Sequence, residues 1–298
     1  NFFNFYTINY ANPEGSEFTK NSTVLTLDDN KTFDSTDGTT VRGTIQNDLT
    51  PGTLVTGTAP AGTSAAFSTT LYSGSDPTEK KVITGIDNTS KALVWIKSTD
   101  NNQMHFLFDT LRGVTRSLSS DTSEAENDNG LISFDSDGYK LRANDGNINN
   151  AFINYVGWNF RAAPGFMDIQ TFKNDINGVV VPHDLGVTPG MTLLKNTSTS
   201  AGDWWVYHHE ASDTPELTYM LLNVINEAST NPNIFVWNKT KPDETSFSTL
   251  STGVTGDDMV AYLFADNPTG GIKCGTYDGS TNGPVTVDCG FQASMDTD

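Results

Sequence analysis

The densest group of chemically capable side chains in this 298-residue sequence is Asp203-Trp204-Trp205-Val206-Tyr207-His208-His209. Trp and Tyr faces stack on sugar rings, and neighbouring carboxylate and imidazole groups bond hydroxyls; an apolar wall with a few polar groups is what a small-ligand site needs. Asp203, Trp204, Trp205, Tyr207 and His208 are therefore the candidate glycan contacts. The same string also reads as a strand. Trp204 and Val206 would then share one face and Trp205 and Tyr207 the other, so both faces need cover. Packing is the favoured reading, because positions that recur along a chain usually serve packing.

Other chemistry is thinner. A metal centre from His183, His208 and His209 meets a geometric objection: successive residues of a strand point to opposite faces, and no Cys or Glu stands at a zinc spacing. Asp135-Ser136-Asp137-Gly138 has the start of a calcium loop, which makes Asp135 and Asp137 the nearest approach to a metal ligand pair. The following Tyr139-Lys140-Leu141 supplies no late Glu, and a hairpin turn is the better reading. The acidic stretch Asp121–Asp128 reads as a solvated loop. No metal and no cofactor is expected. G-x-S-x-G, H-E-x-x-H and P-loop motifs are all missing, and carboxylates are too plentiful for any two to mark a glycosidase pair. No catalytic residue is assigned, and the chain is read as a non-enzyme. Cys274 and Cys289 lie symmetrically about the turn-rich string Asp278–Gly283. A hairpin there would set them face to face, as a cross-strand disulfide or as two free neighbouring thiols.

The elements that must hold these residues are strands. Apolar runs are short and bounded by turn residues: Phe67–Tyr72, Ala92–Lys97, Phe106–Phe108, Ile153–Phe160, Met191–Lys195, Trp204–Tyr207, Ile234–Trp237 and Met259–Phe264. Such punctuation predicts an all-β sandwich, jelly roll or barrel. The best helix candidate is Asp213–Ala228, and within it Tyr219–Val224 reads equally well as a strand. With 17 Lys+Arg against 36 Asp+Glu, the net charge is −19. That excludes a basic nucleic-acid footprint and a peripheral role on anionic membranes. No stretch approaches the ~20 apolar residues of a helical membrane span, so no membrane insertion is expected.

An internal repeat organises the chain. Tyr72 to Gly85, Phe172 to Gly186 and Tyr277 to Gly290 are similarly spaced aromatic–glycine pairs, and Leu93–Lys97 matches Leu193–Lys195 with its terminal lysine. Tyr155–Ala162 parallels Val260–Ala265. The expected organisation is an N-terminal attachment or oligomerisation segment at 1–60, a first β unit at 61–165, a second at 166–267 and the opening of a third at 268–298, with the polypeptide continuing beyond it. The aromatic-rich start, Asn1–Tyr10, needs cover from its own domain or another subunit.

The strings Phe67–Gly74, Leu93–Lys97, Leu111–Thr115, Ser133–Tyr139 and Tyr155–Ala162, together with Gly186–Pro189, Leu193–Asn196 and Asp203–His208, resemble a repeat family of marine bacteriophage tail fibres and other virion structural proteins. The resemblance spans roughly residues 67–298. Asp87–Lys91 departs from it, standing where the family has a Gly-aromatic-x-Pro turn. It implies tandem jelly-roll or concanavalin-like β-sandwich units in a virion or extracellular setting, acting as rigid spacers. The implied partners are further copies of the chain and other virion proteins. The competing readings are a lectin-like adhesin that binds host surface glycans and a polysaccharide-degrading tail enzyme.

Overall fold

The computed structural model describes residues 66–198, 202–231, 233–250, 252–277 and 286–290. The expected N-terminal segment at 1–60 therefore lies outside the described residues. Among the described residues there is no α-helix; regular structure consists of strands and two short 3-10 turns. The fold is an all-β sandwich.

The first half contains β1 (Phe67–Ser73), β2 (Lys80–Ile83), β3 (Ala92–Ser98), β4 (Phe106–Asp109), β5 (Arg116–Ser119), β6 (Asn127–Asp128), β7 (Leu131–Asp135), β8 (Gly138–Leu141) and β9 (Asn154–Arg161). They form a six-stranded antiparallel sheet in the order β1-β9-β3-β4-β5-β6 and a three-stranded sheet β2-β8-β7. The second half contains β10 (Met167–Lys173), β11 (Val179–Pro182), β12 (Pro189–Asn196), β13 (Trp205–His208), β14 (Met220–Leu221), β15 (Ser246–Thr249) and β16 (Asp258–Ala265). Its five-stranded sheet runs β10-β16-β12-β13-β14, and β11 pairs with β15. In both large sheets the first strand pairs with the last, the last with the third, and the third with the fourth.

Three apolar layers explain why the central strands are apolar on both faces. Val94, Ile96, Phe106 and Tyr155 of the six-stranded sheet pack against Val82, Leu131, Tyr139 and Leu141 of its small sheet. Leu194, Tyr207, Ala261 and Leu263 of the five-stranded sheet pack against Val181 and Phe247. The opposite faces of the two large sheets meet each other: Leu93, Trp95, Leu107, Leu118 and Phe160 lie against Ile169, Leu193, Trp204, Val260, Tyr262 and Phe264. The layer order is small sheet, large sheet, large sheet, small sheet. Each half contributes a wall to a core that neither closes alone. The described residues accordingly belong to one compact unit.

The two ends of each half are neighbours. Phe67 at the start of β1 is paired with Phe160 near the end of β9, and Met167 at the start of β10 with Phe264 near the end of β16. The Phe160 ring lies 4.6 Å from that of Phe67, 6.4 Å from Phe166 and 5.7 Å from Phe264, centroid to centroid. The chain thus enters and leaves both halves through one aromatic cluster.

Two expectations change. Asp213–Ala228 is no α-helix: a 3-10 turn at Pro215–Leu217 is followed by the two-residue strand β14. Ile234–Trp237 is no strand either. It is a turn-rich segment that buries Val236 and Trp237 beside left-handed Asn238 and Lys239, with the Trp237 Nε1–H bonded to Thr218 O at 3.0 Å. Residues 268–277 run back onto the second half, where Ile272 and Cys274 pack into the central core. Residues 278–285 and 291–298, the rest of the expected third unit, lie outside the described residues.

Candidate functional site

The aromatic string at 203–209 includes β13, the second strand from one edge of the five-stranded sheet, between β14 and β12. Alternation along this strand decides what each ring does. Trp204 and Val206 face the central core, and Trp205 and Tyr207 face the small sheet. Trp204 is 0% exposed and Tyr207 2%. The Trp204 ring stacks near Tyr262, and its Nε1–H donates to Ser119 O of the first half at 2.8 Å. Tyr207 meets Trp237 edge-on, and half-buried Trp205 meets Tyr219 in the same way. Neither Trp204 nor Tyr207 offers a face to a sugar. Asp203 Oδ1 accepts from Asn223 Nδ2 at 2.8 Å, and Asn223 Oδ1 accepts the Trp204 N–H at 2.9 Å, so the carboxylate braces the loop. His208 Nδ1 accepts the Glu210 N–H, and burial, helped by His209, lowers its pKa.

The three histidines do not converge on a metal site. His183 Nε2 lies 3.2 Å from Asp243 O, in a different part of the second half. His208 and His209 are closer than strand alternation predicts, with ring centroids 5.3 Å apart. The reason is local: β13 ends at His208, so the alternating geometry does not extend to His209. Asp135 and Gly138 pair across a two-residue hairpin turn between β7 and β8, and Asp137 lies within the turn. The turn proper is Ser136-Asp137, one residue earlier than an Asp-Gly turn. Gly138 is required there, because a Cβ would stand 2.0 Å from Val82 O. Lys81 Nζ pairs with Asp137 at 2.9 Å and reaches Asp135 at 3.9 Å. No metal-holding group of three or more His, Cys, Asp or Glu occurs among the described residues. Cys274 and Cys289 are free thiols, the first buried and the second half-buried. Burial pushes the Cys274 thiol up to about 12.

The polar chemistry that sequence patterns missed lies between the two large sheets. Asp109, at the end of β4, is fully buried. Its Oδ1 accepts the backbone N–H groups of Leu111 and Arg112, at 3.0 and 2.9 Å. Its Oδ2 accepts Arg112 Nε at 2.5 Å and the Tyr262 hydroxyl, from β16 of the other half, at 2.7 Å. Arg112 also reaches Glu126 at 3.0 Å and Leu107 O at 3.2 Å. A second tie crosses at Lys91, whose Nζ pairs with buried Asp168 of β10 at 2.9 Å. Burial acts to raise the Asp168 pKa, but the Asp184 N–H, Lys91 and Gln170 outweigh it and the pKa is lowered.

The third tie is Lys195, at the end of β12. It is 0% exposed. Its ammonium donates to Ser123 O of the first half at 3.0 Å and to Gly202 O of its own. Lys97, its counterpart in the first half, likewise donates to loop carbonyls, Ser98 O and Asn101 O. Burial pushes Lys195 down to about 8, against the pull of Asp203 and Glu124. Below that pH the core holds a charge it disfavours. Above it the folded chain sheds a proton that the unfolded chain keeps up to about 10.5, so stability rises with pH through that window. Cys274 opposes this above about 9 and the buried tyrosines above about 10, so Lys195→Met is the reference. The stability of the wild type relative to Lys195→Met is expected to rise by about 1 kcal/mol from pH 7 to pH 9 in urea titrations. A flat difference would show that Lys195 keeps an ordinary pKa.

All three ties serve packing of one half on the other. No nucleophile–base pair is placed by them at a solvent-open position, and what they do chemically is lock two sheets in register. Residues 62–295 match the model of a family described as a domain of unknown function (DUF7483). That is most of the chain, and the chain belongs to this family. No curated protein and no solved structure is detectably similar to it.

Proposed function

We propose that this member of the DUF7483 family is a non-enzymatic structural protein of a virion appendage, of the tail-fibre kind, which supports host attachment. One observation carries the structural part of this reading. The buried Asp109–Arg112 pair, through the Tyr262 hydroxyl, the Lys91–Asp168 pair with its buried carboxylate, and the buried Lys195 each join one half to the other. Buried charge of this kind in an enzyme is more often found facing a substrate cleft. Here Asp109 and Asp168 meet cations, Lys195 is held by two backbone carbonyls, and all three lie between the halves, as a scaffold requires. The virion setting rests on the resemblance of strings such as Phe67–Gly74, Leu93–Lys97 and Asp203–His208 to the phage fibre repeats. Self-association and contact with other virion proteins follow from that setting, and a surface of net charge −19 keeps neighbouring copies from non-specific clumping.

The test is immunogold electron microscopy with antibody raised against the recombinant chain. Label on an appendage of purified phage particles is expected, together with an intact-assembly mass above that of one chain. Particles without label, and label on cells instead, would overturn the reading.

A further inference from the structure

We propose that the first half binds a short neutral saccharide in a cleft beside β5 and β6; the inference rests on the cleft alone and goes beyond the scaffold role. The cleft has a volume of ≈ 400 Å³, within the range of small-molecule sites. Phe106 and Met104 give it an apolar floor, and Asn127, Asn129, Asn147 and Glu124 stand around it. Met104 is 40% exposed although it is a large apolar side chain. An apolar floor suits the C–H face of a pyranose, and amides at the rim suit its hydroxyls, since each amide both donates and accepts.

The rim is held in place while its hydrogen-bonding ends stay open. The Asn129 N–H donates to Thr115 O at 2.7 Å, and the Asn147 N–H to Asp145 Oδ1 at 3.0 Å. The side-chain amides of both make no hydrogen bond to any described residue. Gly130, which follows Asn129, fixes the corner: its φ is +125°, and a Cβ there would fall 2.1 Å from the Phe108 ring. The neighbouring Asp128 carboxylate is tied to Arg116 Nη1 at 3.0 Å, which leaves its second oxygen for a ligand.

Charge selects among saccharides. No Lys, Arg or His lines the cleft, and Glu124 and Asp128 border it. A sialylated, sulfated or phosphorylated sugar would meet the Glu124 carboxylate with no cation among the lining residues, whereas a neutral hexose or N-acetylhexosamine brings no charge to be repelled. The segment concerned is the acidic stretch 121–128, which sequence alone reads as a solvated loop.

The experiment is a glycan array of neutral and anionic oligosaccharides followed by calorimetric titration of the best neutral one, with and without EDTA. Wild-type chain is expected to retain neutral oligosaccharides and to bind a sulfated or sialylated counterpart at least tenfold more weakly. The double variant Asn129→Ala/Asn147→Ala should weaken binding at least tenfold with an unchanged unfolding midpoint, because neither side chain bonds the protein. The single variant Met104→Ser, which removes the Met104 part of the floor and leaves Phe106, should weaken it as well. No neutral glycan retained, a double variant that binds like wild type, or binding abolished by EDTA would each overturn the proposal, the last in favour of a cation held by Glu124 and Asp128. An unlabelled virion with an intact glycan response would sink the scaffold reading and leave this one standing.

Discussion

Asp109→Ala should lower the unfolding free energy by about 3–5 kcal/mol, the largest single loss expected from a polar side chain in this protein. The side chain accepts four hydrogen bonds, from two backbone N–H groups, the Arg112 guanidinium and the Tyr262 hydroxyl. Its removal leaves Arg112 charged, with a side chain only 5% exposed, and Glu126 as the one remaining carboxylate. An uncompensated buried charge costs more than the pair ever contributes, which is why the effect is large although the net worth of the intact pair is small. Tyr262→Phe removes one donor and leaves the ion pair intact, so it should cost about 1 kcal/mol. Guanidinium titrations of the two variants check the ranking. A loss under 1 kcal/mol for Asp109→Ala would mean that the two halves are not locked through this cluster.

Trp204→Ala should be as damaging, at about 3–5 kcal/mol, through the cavity left in the central core and the loss of the bond to Ser119 O. Trp204→Phe keeps most of the volume and should cost about half as much. The pair of variants also separates the two readings of the 203–209 string. A packing residue loses stability in proportion to the volume removed. A sugar platform would lose ligand binding while the unfolding midpoint stayed put, and that outcome would refute the core assignment.

How far the sequence reveals this architecture depends on which kind of signal is asked for. Strands covered on both faces are easy to read: Leu93–Lys97 and Met259–Phe264 are apolar without alternation because each large sheet has a core on either side. The spacing that pairs Tyr72 with Gly85 and Phe172 with Gly186 is also physical. Gly85, Gly186 and Gly290 share one left-handed backbone, with φ of 73°, 73° and 72°, a conformation other residues seldom take. Ile234–Trp237 misleads because an apolar run reports burial and says nothing about whether a ladder partner exists. The Asp109–Arg112–Tyr262 cluster is illegible for a different reason: its members lie 153 residues apart at the Tyr262–Asp109 bond, and no local pattern marks a partner so distant. The cleft fails to show for a related cause. Its amides come from β6, the residue just after it and a separate loop, and Asn is common in any loop.

The aromatic junction where Phe67, Phe160 and Phe264 meet has a mechanical consequence. A pull on the polypeptide from both sides would reach β1 and β9, and likewise β10 and β16, at the same end of each antiparallel pair. Loaded that way, the ladder bonds take the force one after another and peel, instead of sharing it in shear. Tension would therefore open this fold at a low threshold and let out the chain of a whole half at a time. A long filament that had to bear load would need its strength from other segments or from neighbouring subunits. Both ends of each half meet at one corner, beside such a line of force rather than along it.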